Sequence, residues 1–130
     1  MANLADYLQS AHRIGLTICD GQLACVGAIK AARPNYIGRI SRESGYPLED
    51  ERCIGEFGYV VTQTEFRKRG LARALSAQLL KDLEGVLYAT TRDDNPGIHT
   101  IVKENGFVNV GRTWRSTAHP DSSLMLWLKK

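Results

Sequence analysis

At 130 residues the chain has the length of one domain with one hydrophobic core, and we expect a single domain over residues 1–130. A hydrophobic fraction of 43%, a charged fraction of 24% and no run near the roughly 18 apolar residues of a membrane span predict a soluble protein with no membrane partner. The net charge of +3 falls short of a dedicated nucleic-acid binder, so no nucleic acid is expected, although Arg67, Lys68, Arg69 and Arg73 concentrate positive charge within seven positions.

Met1 to Asp6 has neither the basic start nor the apolar run of a secretory signal, so the expected compartment is the cytoplasm. Cys19, Cys25 and Cys53 are odd in number and lack CxxC spacing, which argues against a disulfide framework and a cysteine zinc site. His12 and His119 have no second ligand nearby, and no metal is assigned.

In chain order, Leu4, Leu8 and Ala11 predict a helix over Ala5 to His12. Two apolar runs, Leu16–Cys19 and Leu23–Ile29, flank Asp20-Gly21 and read as a β-hairpin, the second strand central because it is nearly all apolar. Lys30 to Arg52 reads as a long connection with one short helix. Ile54 to Thr62 is strand-like, and Leu71, Ala74, Leu75, Leu79 and Leu83 recur at helical spacing until Gly85. Val86–Thr91 is a short apolar strand. The helix between it and the preceding strand suits a crossover, which implies a parallel pair. Ile98–Glu104 reads as a helix ending at Asn105-Gly106, and Phe107–Trp114 and Leu124–Leu128 as antiparallel strands, the last of which can pair across a homodimer.

Between strand and helix lies Gln63-Thr64-Glu65-Phe66-Arg67-Lys68-Arg69-Gly70-Leu71-Ala72. A helix start exposes unpaired N–H groups and the positive end of the helix dipole. Gly70 and Ala72 let a ligand approach the backbone, and the four cations surround that point, so the segment suits a diphosphate. It contains neither GxxxxGK[ST] nor GxGxxG.

The pattern Arg67-x-x-Gly70-x-Ala72 resembles the acetyl-CoA signature [QR]xxGx[GA] of the GNAT family of N-acetyltransferases. The resemblance continues through Glu56–Thr62, placed as the family's fourth strand, and through Asn95 and Gly106-Phe107 at the family's N…GF spacing. It covers about the C-terminal two thirds of the chain, and the family's first strand has no counterpart.

The resemblance implies an α+β fold: a twisted mixed sheet flanked by helices, whose central parallel strands are joined by the cofactor-binding helix. It also implies acetyl-CoA as cosubstrate. The backbone of Val60, Val61 and Thr62 would pair with the pantetheine arm, and the segment Arg67, Lys68, Arg69, Gly70, Leu71, Ala72 and Arg73 would hold the pyrophosphate. Asn95 would bond the far side of the arm.

The resemblance also implies that the acceptor is a primary amine on a small molecule or a protein. A lysine-type amine, with a pKa near ~10.4, must lose a proton before it attacks a thioester. Glu56, eleven residues before Arg67, stands where a glutamate serves as base in some family members. By strand alternation it shares a face with Gly58 and Val60 unless a bulge intervenes. The tyrosine often found seven residues after the asparagine stands here as Val102, which leaves His99 and Tyr88 as candidates for the general acid. A catalytically silent acyl-CoA-binding module of the same fold is the alternative.

Overall fold

The computed structural model describes residues 11–118 and 120–130, and no helix among them is long and apolar enough to cross a membrane. Among the described residues six strands order as β1-β2-β3-β4-β6-β5 in a mixed sheet, accompanied by three α-helices and two short 3-10 turns. The chain divides into two compact units: residues up to Ala31 with Phe57–Glu84, and Ala32–Glu56 with Gly85–Lys130.

In the first unit β1 (Ala11–Cys19) and β2 (Gln22–Ala31) form the antiparallel hairpin. Asp20 and Gly21 both take left-handed φ, 52° and 75°, as a tight hairpin turn requires. The expected helix over Ala5–His12 lies outside the described residues except for Ala11 and His12, which belong to β1. His119 also lies outside them.

The β3 strand (Gly55–Thr62) leads through the turn Thr64–Phe66 to α2 (Leu71–Leu80), which packs on β1 and β2. Leu75 and Leu79 supply the contact. A Cβ on Gly15 would lie 2.6 Å from Leu75 Cδ1, so glycine there lets strand and helix close together.

In the second unit the first two residues of β3 pair in parallel with β4 (Leu87–Arg92), Gly55 with Leu87 and Glu56 with Tyr88, as the crossover expectation required. The β6 strand (Ser123–Lys129) is antiparallel to both β4 and β5 (Val108–Arg115). Both of its edges are therefore occupied, and the expected dimer pairing through Leu124–Leu128 has no free edge to use.

The short helix expected within Lys30–Arg52 is α1 (Pro34–Ser44), about three turns long and packed into the core. It buries Ile37 and Ile40 in a cluster with Leu48, Tyr88, Leu126 and Leu128. Pro34 occupies the first turn, where a missing N–H is harmless, and Gly45 ends the helix at φ 73°. Arg112 in β5 donates from Nε to the Glu43 carbonyl at 3.1 Å, satisfying a terminal group of α1.

Candidate functional site

The cationic segment belongs wholly to the first unit. At the end of β3 the Gln63 N–H donates to the Ala24 carbonyl at 2.8 Å and its side chain to the Leu23 carbonyl at 2.9 Å, fixing the strand end against β2. The Thr62 hydroxyl donates to Cys25 Sγ at 3.3 Å. Buried Phe66 then anchors the turn, with the Arg69 guanidinium 5.2 Å above its ring, and Arg67 Nε donates back to the Thr62 carbonyl at 3.3 Å. The loop that carries the charge is thus held by its own side chains.

Lys68 and Gly70 both adopt left-handed φ, 64° and 72°, which turns the chain abruptly into α2. No side chain caps that helix and its first turn carries no acid. Its leading N–H groups and positive dipole end thus lie within a segment whose Arg67, Lys68, Arg69 and Arg73 side chains are exposed. A Cβ built on Gly70 would meet no atom within 4 Å, so the space before the helix is open. This geometry fits a diphosphate. A concavity of ≈ 390 Å³ alongside shares Val61, Thr62 and Arg67 with the expected cofactor residues.

Because that space is open, Gly70→Ala isolates the backbone term. We expect it to lower stability by about 1 kcal/mol, the cost of a left-handed conformation for a residue with a Cβ, and Gly70→Asn to lose less. Urea midpoints read the difference. A Gly70→Ala midpoint equal to that of the unchanged chain would contradict the assigned conformation.

One geometrical expectation fails inside β3. Tyr59 takes φ 54°, a left-handed residue between Gly58 and Val60, so the alternation that was to place Glu56 and Val60 on one face is broken. The Lys30 ammonium lies 3.8 Å from the centroid of the Tyr59 ring. Val60, Val61 and Thr62 follow that kink, and Val61 is 52% exposed.

Glu56 lies in the second unit, nearly fully buried at 4% exposure, and its carboxylate accepts the Tyr88 hydroxyl at 3.2 Å. The Tyr88 phenol is pushed far above its ordinary pKa, by burial first and then by the Glu56 charge. Burial, followed by the same charge, also raises the Tyr36 phenol, whose hydroxyl lies 3.4 Å from Thr90 Oγ1. Both tyrosines stay protonated at neutral pH. Tyr36 and its relation to Glu56 were missed in the sequence, where only a long connection with one short helix was visible.

Asn95 caps α3 (Pro96–Glu104), its Oδ1 accepting the Ile98 N–H at 3.4 Å. Of the candidate acids, His99 Nε2 donates to the Arg92 carbonyl at 2.8 Å and Tyr88 already donates to Glu56. Val102 is fully buried and fills core space. Trp127 is core: it is 2% exposed and its indole donates to Thr91 Oγ1 at 2.8 Å. Trp114 is half-buried and lines a separate pocket of ≈ 150 Å³ in the second unit with Tyr36 and Arg39.

The fold is that of the GNAT acetyltransferases. It is similar to a GNAT-family acetyltransferase from Bacillus cereus, at 13% identity and TM-score 0.62 over 91% of this chain and 70% of that one. Ribosomal-protein-alanine N-acetyltransferase from Brucella melitensis superposes with TM-score 0.63 at 20% identity, over 88% of this chain and 65% of that one. A streptothricin-acetyltransferase candidate from Bacillus anthracis, solved in complex with acetyl coenzyme A, gives 0.58 at 14% identity, over 95% and 66%. The chain thus spans about two thirds of the length of these solved proteins. No protein-family model and no curated protein matches it.

Proposed function

We propose that the chain is a single-domain cytoplasmic N-acetyltransferase that moves an acetyl group from acetyl-CoA to a primary amine. The observation that carries this reading is the uncapped, cation-ringed start of α2 behind a left-handed Gly70, within a fold used by acetyltransferases. That the Bacillus anthracis protein was solved with acetyl coenzyme A supports the choice of cosubstrate. The thiols of Cys19, Cys25 and Cys53 are unpaired, which suits a reducing compartment.

In this reading the N–H groups from Lys68 to Arg73 hold the pyrophosphate, and the backbone of Val60, Val61 and Thr62 pairs with the pantetheine arm. The resemblance would add a bond from Asn95 to the arm, and in the structure the Asn95 Oδ1 caps α3. When bound, acetyl-CoA supplies the acetyl thioester. Glu56 receives the amine proton as the N–C bond forms, and an N–H near Val60 or Val61 offsets charge on the carbonyl oxygen. The C–S bond breaks and the CoA thiolate leaves. Because Tyr88 is committed to Glu56 and held protonated, its hydroxyl positions the base rather than protonating the thiolate, which solvent can do.

Release of CoA, trapped as free thiol across a panel of amines, tests the function. Thiol formed with at least one amine supports it, and none formed with any amine rejects it. Glu56→Gln is expected to lower turnover about 100-fold, the lower range for a general base, while leaving acetyl-CoA affinity unchanged. Full rate at every pH would refute that role.

A second reading rests on one observation. A glutamate only 4% exposed and bonded to a buried tyrosine is also what a satisfied core carboxylate looks like. On that reading the chain is a silent acyl-CoA-binding module, which binds acetyl-CoA and releases no thiol.

A further inference from the structure

We propose that the pocket between α1 and the β5–β6 loop seats the acceptor, and that it selects a small primary amine bearing a carboxylate and an apolar segment. The proposal rests on the acetyl-transfer reading and adds the class of substrate to it.

Among the described residues Arg39 is the only charged one lining the pocket, and no carboxylate among them lines it beside the guanidinium. Its Nη2 donates to Thr117 Oγ1 at 3.0 Å, which orients the planar fork and leaves further N–H groups for a ligand. A guanidinium held in this way is suited to bidentate recognition of a carboxylate. The remaining walls include Tyr36, Ile40, Trp114 and Leu124, an aromatic and aliphatic surface for a hydrocarbon segment. A volume of ≈ 150 Å³ matches about five waters at roughly 30 Å³ each, enough for a short side chain and its carboxylate but not for a folded protein surface.

The pocket is tied to the expected base through a shared residue. Tyr36 forms part of its wall, and the same ring is near enough to Glu56 for the carboxylate's charge to raise the phenol's pKa. Arg33, with its guanidinium 4.8 Å from the Tyr36 ring centroid, adds positive charge on the same helix approach. An acceptor whose carboxylate meets Arg39 and whose hydrocarbon lies on Tyr36 and Trp114 would rest against the one wall residue, Tyr36, that also feels the Glu56 charge. An amine without an anionic group leaves the Arg39 fork without a counter-charge.

The test reads binding without turnover. In nitrogen-15-labelled protein free of acetyl-CoA, the indole N–H signal of Trp114, assigned with Trp114→Phe, is followed during titration with matched pairs: leucine against leucinamide, and phenylalanine against phenylalaninamide. We expect the carboxylates to shift that signal at about tenfold lower concentration than the amides, the size of one partly exposed charge-assisted contact. Arg39→Gln should abolish the preference and Arg39→Lys should restore part of it. Arg39 is exposed, so neither change disturbs the core. Equal shifts by acid and amide, or a preference that survives Arg39→Gln, would overturn the proposal.

The two readings fail separately. A carboxylate-specific shift with no thiol release from any amine keeps the pocket's assignment as a carboxylate site and rejects transfer. Thiol release that shows no carboxylate preference and no response to Arg39→Gln keeps transfer and rejects the pocket as its acceptor site.

Discussion

Replacing Arg67 and Arg69 together by alanine should weaken acetyl-CoA binding about thirtyfold, the sum of two exposed charge-assisted contacts of ~1 kcal/mol each. Each side chain is exposed, so most of the loss is of ligand contact rather than of core packing. The two are not equivalent. Arg67 is held by the Thr62 carbonyl and Arg69 by the ring of Phe66, so each enters the complex partly oriented and loses less side-chain entropy than a free arginine. Raising the salt concentration should narrow the gap between the variant and the unchanged chain, because the missing interaction is electrostatic. An affinity within a factor of two of the unchanged chain would show that the pyrophosphate sits elsewhere.

The largest expected loss of stability comes from Trp127→Ala. The ring is 2% exposed on β6, and its removal should cost about 3–5 kcal/mol through a cavity and lost contacts. That is a large share of the roughly 5–15 kcal/mol of a typical domain, so melting should fall by roughly 10–20 °C. Trp127→Phe keeps most of the volume but deprives the buried Thr91 hydroxyl of its indole donor, and should cost about 1–3 kcal/mol. Calorimetric or urea unfolding measures both. A loss under about 1 kcal/mol for Trp127→Ala would mean that the ring is not part of the core.

What was legible in the sequence followed from local chemistry. Asp20-Gly21 marked the hairpin because few residues accept the two left-handed conformations that the turn uses. The spacing of Leu75 and Leu79 marked α2 because it records the face turned to the hairpin. Gly70 and its basic neighbours marked the candidate anion segment for the same reason: a helix start, an open backbone and charge lie together within a few residues.

What was not legible depended on residues far apart in the chain. Ile37 and Ile40, with Tyr36 beside them, give α1 its apolar face, and Gly38 with several charged residues hides it, although Pro34 and Gly45 were available as start and stop signals. Nothing local distinguishes Tyr59, an aromatic in a strand, as the residue that breaks its alternation. The environment of Glu56 is set by Tyr88, 32 residues away, and by Tyr36 on α1, whose position beside it no local pattern shows. The proposed binding segment was local, whereas the surroundings of the proposed base are tertiary.

The central claim is that the start of α2 holds the pyrophosphate of acetyl-CoA. Calorimetric titration with acetyl-CoA and with S-acetylpantetheine, which carries the same thioester and arm without the pyrophosphate, tests it most directly. We expect micromolar binding of acetyl-CoA and at least a tenfold weaker response to S-acetylpantetheine. No heat from acetyl-CoA at high micromolar concentration, or equal affinity for the two, would contradict the claim.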